Sequence, residues 1–247
     1  MRCYLRFNEY AGLRVAQTPE FLESVANHPS VFPAVSRKGQ GCIDLSGVWH
    51  KCIGLEFEGG GWLFDRLDMG RYEVHTLFLP KSRHTREKAA QAKRYLFTAT
   101  DALELVTRVP DDLPHALALA RHMGFKDAFR RDNAWSRDSG DVGMTYLRLT
   151  IDEWAQDSDE LQSIGQDFHD KLGEHQTHDE DPVHDRYVGL GVACALAGQP
   201  EKGVWLYNKW ARFAGYQEME FSDGVARFDN TEVFVINNEL QVRTICQ

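Results

Sequence analysis

Apolar and polar positions change period several times along this chain, and each change marks a different kind of element. Thr18-Pro19-Glu20 reads as an N-cap followed by a proline in the first turn, which predicts a short helix near 19–27. From Cys42 the pattern becomes strand-like. Val48–Phe57, Trp62–Leu67 and Tyr72–Leu79 are three apolar runs joined by turn signals at Glu58–Gly61 and Asp68–Gly70, the pattern of an antiparallel meander. The period then turns helical over Thr85–Phe97, where Ala89, Ala92, Leu96 and Phe97 recur at three-and-four spacing with charges opposite. Leu103–Val109 reads as a strand, and Asp111, Asp112 and Pro114 open a helix at Ala116–Met123 that Gly124 ends. Phe129–Trp135 and Val142–Thr150 follow as strands around the polar turn Ser136–Gly140. Strands alternating with helices after a meander predict a mixed sheet with helices on its faces.

Beyond Thr150 helices dominate. Ile151–Leu172, Pro182–Ala197 and Glu201–Ala214 are predicted helices, the first two joined by the acidic, His-rich stretch Gly173–Asp181. The tail, Glu218–Ile245, is β-like, with Val225–Phe228, Val233–Ile236 and Leu240–Ile245 as its runs. In the last helix Val204, Tyr207, Asn208 and Ala211 share a face, while Trp205, Lys209, Arg212 and Phe213 lie elsewhere around it. Aromatics on all sides fit either packing beneath the tail or a protein interface. The expected fold class is α+β, with one domain at 1–150 and an acidic helical and β appendage at 151–247.

Charge sharpens this division. The net charge of −9 splits into +3 for residues 1–150, with 21 Lys and Arg against 18 Asp and Glu, and −12 for 151–247, with 7 against 19. An acidic half repels a polyanion, so nucleic acid is disfavoured as a partner. The 43% hydrophobic content is that of a folded chain. Met1–Tyr10 lacks the apolar stretch of a secretory signal, and the longest uncharged run, Tyr187–Pro200, is too short for a membrane span. Five cysteines, odd in number and never in a C-x-x-C pair, read as reduced thiols in a cytosol-like compartment.

Tyr72–Phe125 carries the most specific pattern: a strand (YEVHTLFL), a loop (PKSRHT), a helix (REKAAQAKRYLFT), a strand (LELVTRV), then DDLPHALALARHMGF. This order resembles the acyl-CoA-binding heart of the GNAT superfamily of N-acetyltransferases. The resemblance implies that the strand around Leu77 and Leu79 holds a pantetheine arm. It also implies that a loop of pattern Q/R-x-x-G-x-G/A, falling on Lys81–Arg86, wraps the pyrophosphate at a helix N-terminus. Both glycine positions are filled here, by His84 and Arg86, and Leu113 stands where the family often has asparagine. Side chains there are expected to obstruct the usual wrap. Lys81, Arg83, Arg86 and Lys88, with His84, then remain as a basic loop that would hold a pyrophosphate through side chains.

For amine acetylation a proton acceptor is needed, and Glu73 and His75, two apart on one strand, share a face and are the candidates. The alternative is that they line the polar face of a half-exposed strand. His169, His175, His178 and His184 lie among carboxylates, but without an H-x-x-x-H pair they read as a solvated acidic linker, and no metal is expected.

GNAT-like chains with a degraded CoA loop and a helical extension are similar to virion-assembly proteins of short-tailed bacteriophages. That resemblance implies a virion-associated interaction protein with lost or weak catalysis and no cofactor. Its partners would be other protein chains, in a homo-oligomer or with virion components, in the host cytoplasm and then the virion. The alternative is a cytoplasmic acetyl-CoA-dependent N-acetyltransferase.

Overall fold

The computed structural model describes residues 12–172, 181–228, 231–236 and 239–244, which fall into two compact units. The first comprises residues up to Arg94 together with Ala102–Ile151, and the second comprises Tyr95–Asp101 together with the chain from Asp152 onward. The fold is α+β.

In the first unit seven strands form one mixed sheet: β1 (Arg14–Val15), β2 (Cys52–Phe57), β3 (Gly60–Asp68), β4 (Arg71–Phe78), β5 (Glu104–Pro110), β6 (Lys126–Arg137) and β7 (Gly140–Thr150), in the order β1-β2-β3-β4-β5-β7-β6. All neighbours are antiparallel except β4 and β5. One face carries Leu63 and Leu77, which bury against Leu22, Val25 and Ala26 of α1 (Glu20–Ala26). The short α2 (Phe32–Val35) follows. Residues on the opposite face meet the start of α3 (Thr85–Ala99), where Phe57, Trp62 and Phe78 cluster edge to face and the Lys88 ammonium lies 4.0 Å above the Phe57 ring. Lys93 Nζ of α3 donates to the Met123 carbonyl at the end of α4 (Pro114–His122), placing both helices on this face.

In the second unit, α5 (Ile151–Gln156), α6 (Asp159–Leu172), α7 (Pro182–Leu196) and α8 (Pro200–Ala214) pack with a four-stranded antiparallel sheet. Its strands are β8 (Glu220–Ser222), β9 (Val225–Phe228), β10 (Thr231–Ile236) and β11 (Glu239–Thr244), in the order β11-β10-β9-β8. The helices approach closely where they lack side chains: a Cβ on Gly189 would overlap the Leu161 carbonyl oxygen, and one on Gly165 that of Asp185. Lys202 Nζ donates to the carbonyls of Phe97 (2.7 Å) and Thr100 (2.9 Å), placing a cation at the C-terminal end of α3. Burial pushes this ammonium down to about 8.

Several predicted boundaries are corrected. Val48–Lys51 is not strand: Trp49–Lys51 form a 3-10 turn closed by Lys51 N–H to the Val48 carbonyl and Cys52 N–H to the Trp49 carbonyl. Gly60 and Gly61 belong to β3, not to the preceding turn, because Phe57 already pairs with Gly60 and leaves a two-residue hairpin loop. The helix expected over 151–172 breaks at Asp157-Ser158, where the Ser158 hydroxyl caps α6 by accepting from Leu161 N–H at 3.2 Å. Glu220–Ser222 is an unforeseen strand. Most of the His-rich stretch, residues 173–180 with His175 and His178, lies outside the described residues. Burial pushes the thiols of Cys52 and Cys194 up to about 11 and 12, which leaves both unreactive at neutral pH.

Replacing Gly189 by alanine is expected to cost about 3 kcal/mol of unfolding free energy in urea titrations, since two backbones must separate. Gly41→Ala, which meets no neighbour, is expected to stay within about 0.5 kcal/mol of wild type.

Candidate functional site

The one parallel strand pair separates almost as soon as it forms. β4 and β5 pair only at Arg71–Glu104, Tyr72–Leu105 and Glu73–Val106. Beyond that point β4 stays tied to β3 as far as Phe78, and β5 stays tied to β7 as far as Pro110. A wedge therefore opens between residues 74–78 and 107–110, bounded on both sides by strand edges that no longer serve each other. The Thr107 hydroxyl donates to the Val74 carbonyl at 3.0 Å just past the last paired residues.

A cavity of about 190 Å³ occupies this wedge. Its walls come from both faces of the sheet. Ala89, Ala92 and Ala116 contribute from the side of α3 and α4, and Val35, His75 and Trp135 from the side of α1 and α2. The Trp135 indole donates to the Ser36 carbonyl and carries the Arg37 guanidinium 4.7 Å above its ring, so this wall is braced.

Glu73, His75 and Leu77 share a face of β4, but their environments differ. Leu77 is buried in the core against α1. Glu73 is buried, and both its oxygens accept from Arg108, at 2.5 Å from Nε and 2.8 Å from Nη2. The register of β5 dictates this pair, because Val106 faces Glu73 and Arg108 lies two residues further on the same face. A proton taken by Glu73 would come at the expense of that bidentate bond. His75 lines the cavity, and burial pushes its imidazole below the usual value. Glu73 and Asp65 oppose that shift, while Arg108 and Lys51 add to it. His75 is therefore neutral at pH 7, with a nitrogen lone pair available to a proton. Arg108 escaped the sequence reading. The signal that would have found it is a lone cation in one strand beside a strand carrying a lone carboxylate.

The basic loop lies apart from the cavity walls. Lys81, Arg83, His84 and Arg86 are exposed, and Lys88 lies over Phe57. His84 adopts φ +57° and Lys81 φ +65°, so the loop keeps the left-handed backbone that glycine favours although both residues bear side chains. His84 turns its ring outward to Glu87, 2.7 Å from Nδ1 to Oε2, and its carbonyl accepts from Lys88 N–H to start α3. Arg86, at the second glycine position, is already helical. Leu79 follows β4, and its N–H donates to the Gly59 carbonyl.

No protein-family model matches the chain, and no curated protein does. Solved structures similar to it include a spermidine N-acetyltransferase from Vibrio cholerae in complex with CoA and spermine. That structure is 14% identical, with a TM-score of 0.49, over 57% of this chain and 96% of its own. A probable acetyltransferase matches at 12% identity and TM-score 0.46, over 58% of this chain and 96% of its own. A GNAT-family acetyltransferase from Bacillus anthracis matches at 12% identity and TM-score 0.36, over 40% and 66%. Among the described residues no helix is long and apolar enough to cross a membrane.

Removing Arg108 while leaving Glu73 strands a buried carboxylate. Arg108→Met is expected to destabilise the protein by about 3 kcal/mol, the low end for a buried pair because the guanidinium keeps some hydration. Adding Glu73→Gln to it is expected to restore more than half of that loss in denaturant titrations.

Proposed function

We propose that the chain is an acyl-CoA-dependent N-acyltransferase with acetyl-CoA as donor. The parted strands carry this reading. A strand edge that turns away from its neighbour presents N–H and C=O groups to whatever enters, and an extended arm bearing amides can complete the ladder. Pantetheine is such an arm. The alanines at 89, 92 and 116 leave room for it between α3 and α4. Lys81, Arg83 and Arg86 are then the cations for the diphosphate, acting through side chains.

An acceptor amine would enter from the opposite face, past Val35 and Trp135. Its nitrogen attacks the thioester carbonyl carbon, the C–N bond forms and the C–S bond breaks. The proton lost by the nitrogen passes to neutral His75 and then to the departing thiolate. Glu73, engaged by Arg108, positions the strand beside His75.

A second reading, a bacteriophage virion-associated protein with weak or lost chemistry, is favoured by two observations. Trp205 and Phe213 of α8 are 50% and 92% exposed, and aromatics are the residues protein interfaces use. Glu87 also places a carboxylate in the first turn of α3, where a phosphate would otherwise meet the helix dipole. In this reading 151–247 is an assembly appendage.

Thermal denaturation with and without acetyl-CoA separates the two. Ligand at a hundredfold excess over Kd is expected to raise the melting temperature by about 5 °C, and Ala116→Trp is expected to remove that shift. Absence of CoA binding at millimolar concentration in calorimetry overturns the enzyme reading. Where transfer is measured, His75→Gln is expected to lower kcat about 100-fold. Because only the neutral imidazole accepts a proton, wild-type kcat/KM should rise with pH through a pKa below the usual ~6.5 and level off above it. The variant should lack that limb.

A further inference from the structure

We propose that His169, His184 and Asp185 bind one divalent transition-metal ion of the zinc class. The three side chains come from two closely packed helices, α6 and α7. Gly165 of α6 lies so close to α7 that a Cβ there would overlap the Asp185 carbonyl oxygen. His169, one helical turn further along the same face of α6, is thereby carried to the start of α7. One ligand atom from each of His169, His184 and Asp185 lies within 4.8 Å of the others.

The ion-pair spacing between His169 and Asp185 is also that of two ligands on one ion. His169 Nε2 and Asp185 Oδ1 are 3.4 Å apart, and both side chains are more than four-fifths buried. A charge-assisted hydrogen bond would draw them to about 2.8 Å. Two ligands each about 2.1 Å from a tetrahedral zinc ion lie about 3.4 Å apart. Two imidazoles and one carboxylate form a donor set suited to zinc, cobalt or nickel rather than to calcium or magnesium.

The ligands are also held in place. His184 is buried, stacked on Tyr216 at 4.6 Å and on His169 at 5.2 Å, with Trp210 at 5.5 Å. The Tyr216 hydroxyl donates to Asp181, whose carboxylate also caps α7 by accepting from Val183 N–H at 2.9 Å. The −12 charge of residues 151–247 raises the local concentration of cations. Three protein ligands leave one tetrahedral position for water, and the ion would join α6 to α7.

The test uses the full chain, stripped with a chelator, exchanged into chelator-free buffer and titrated with Co2+ and then Zn2+. One equivalent of cobalt is expected to bind with visible d–d bands that zinc abolishes, and either ion is expected to raise the melting temperature. His169→Ala and Asp185→Asn are each expected to weaken binding at least tenfold, while His122→Ala leaves it unchanged. X-ray absorption on the wild-type zinc form is expected to show two imidazole ligands, which keeps the test open should a variant fail to fold. No binding at millimolar Co2+, unchanged affinity in both ligand variants, or a spectrum without imidazole overturns the proposal.

Discussion

The site in the first unit depends on one event, the parting of β4 from β5 after Glu73 and Val106. A strand pair that separates leaves backbone donors and acceptors facing a gap, which is costly unless something else supports the two arms. Here each arm has its own support. β4 remains laddered to β3, and β5 to β7, past the point of separation. At the apex the Glu73–Arg108 pair spans the two strands with two hydrogen bonds, and Thr107 adds a third connection to the Val74 carbonyl. The gap is therefore a built feature of the sheet. It reaches both faces, so two molecules could meet in it from opposite sides.

Electrostatics divides the labour among nearby groups. On one face of β4 and β5, Glu73 is committed to Arg108, while His75 is left neutral by burial. A carboxylate fixed by a guanidinium and an imidazole kept uncharged are suited to different tasks, the first to holding geometry and the second to moving a proton. Lys81, Arg83 and Arg86 are exposed to solvent outside the cavity walls, where little desolvation opposes their charge.

Much of this was legible in the chain because it is local. The meander, the amphipathic spacing of Ala89 and Ala92, and the Pro114 and Gly124 boundaries of α4 follow from nearest-neighbour chemistry, and those elements appear with the meander's first two strands shifted at their ends. Glu73 and His75 were legible as a shared face for the same reason. Arg108 was not, because its meaning depends on parallel register with a strand some thirty residues away, and register is set by contacts across the sheet. The break at Ser158 was missed because serine caps a helix only when the chain turns there. Gly165 and Gly189 look like weak helix positions in sequence, and only the neighbouring backbones reveal them as points of contact.

His84 tests how far composition alone can be pressed. A side chain at a glycine position is expected to stand where the loop's amides would meet a phosphate. At His84 the backbone takes the left-handed conformation that glycine favours, φ +57°, and the ring pairs with Glu87. Strain of about 1 kcal/mol in the left-handed region is tolerable for a polar residue that finds a local partner. Glycine offers bare amides to an anion. His84 and Glu87 instead place a hydrogen-bonded imidazole and carboxylate at the start of α3.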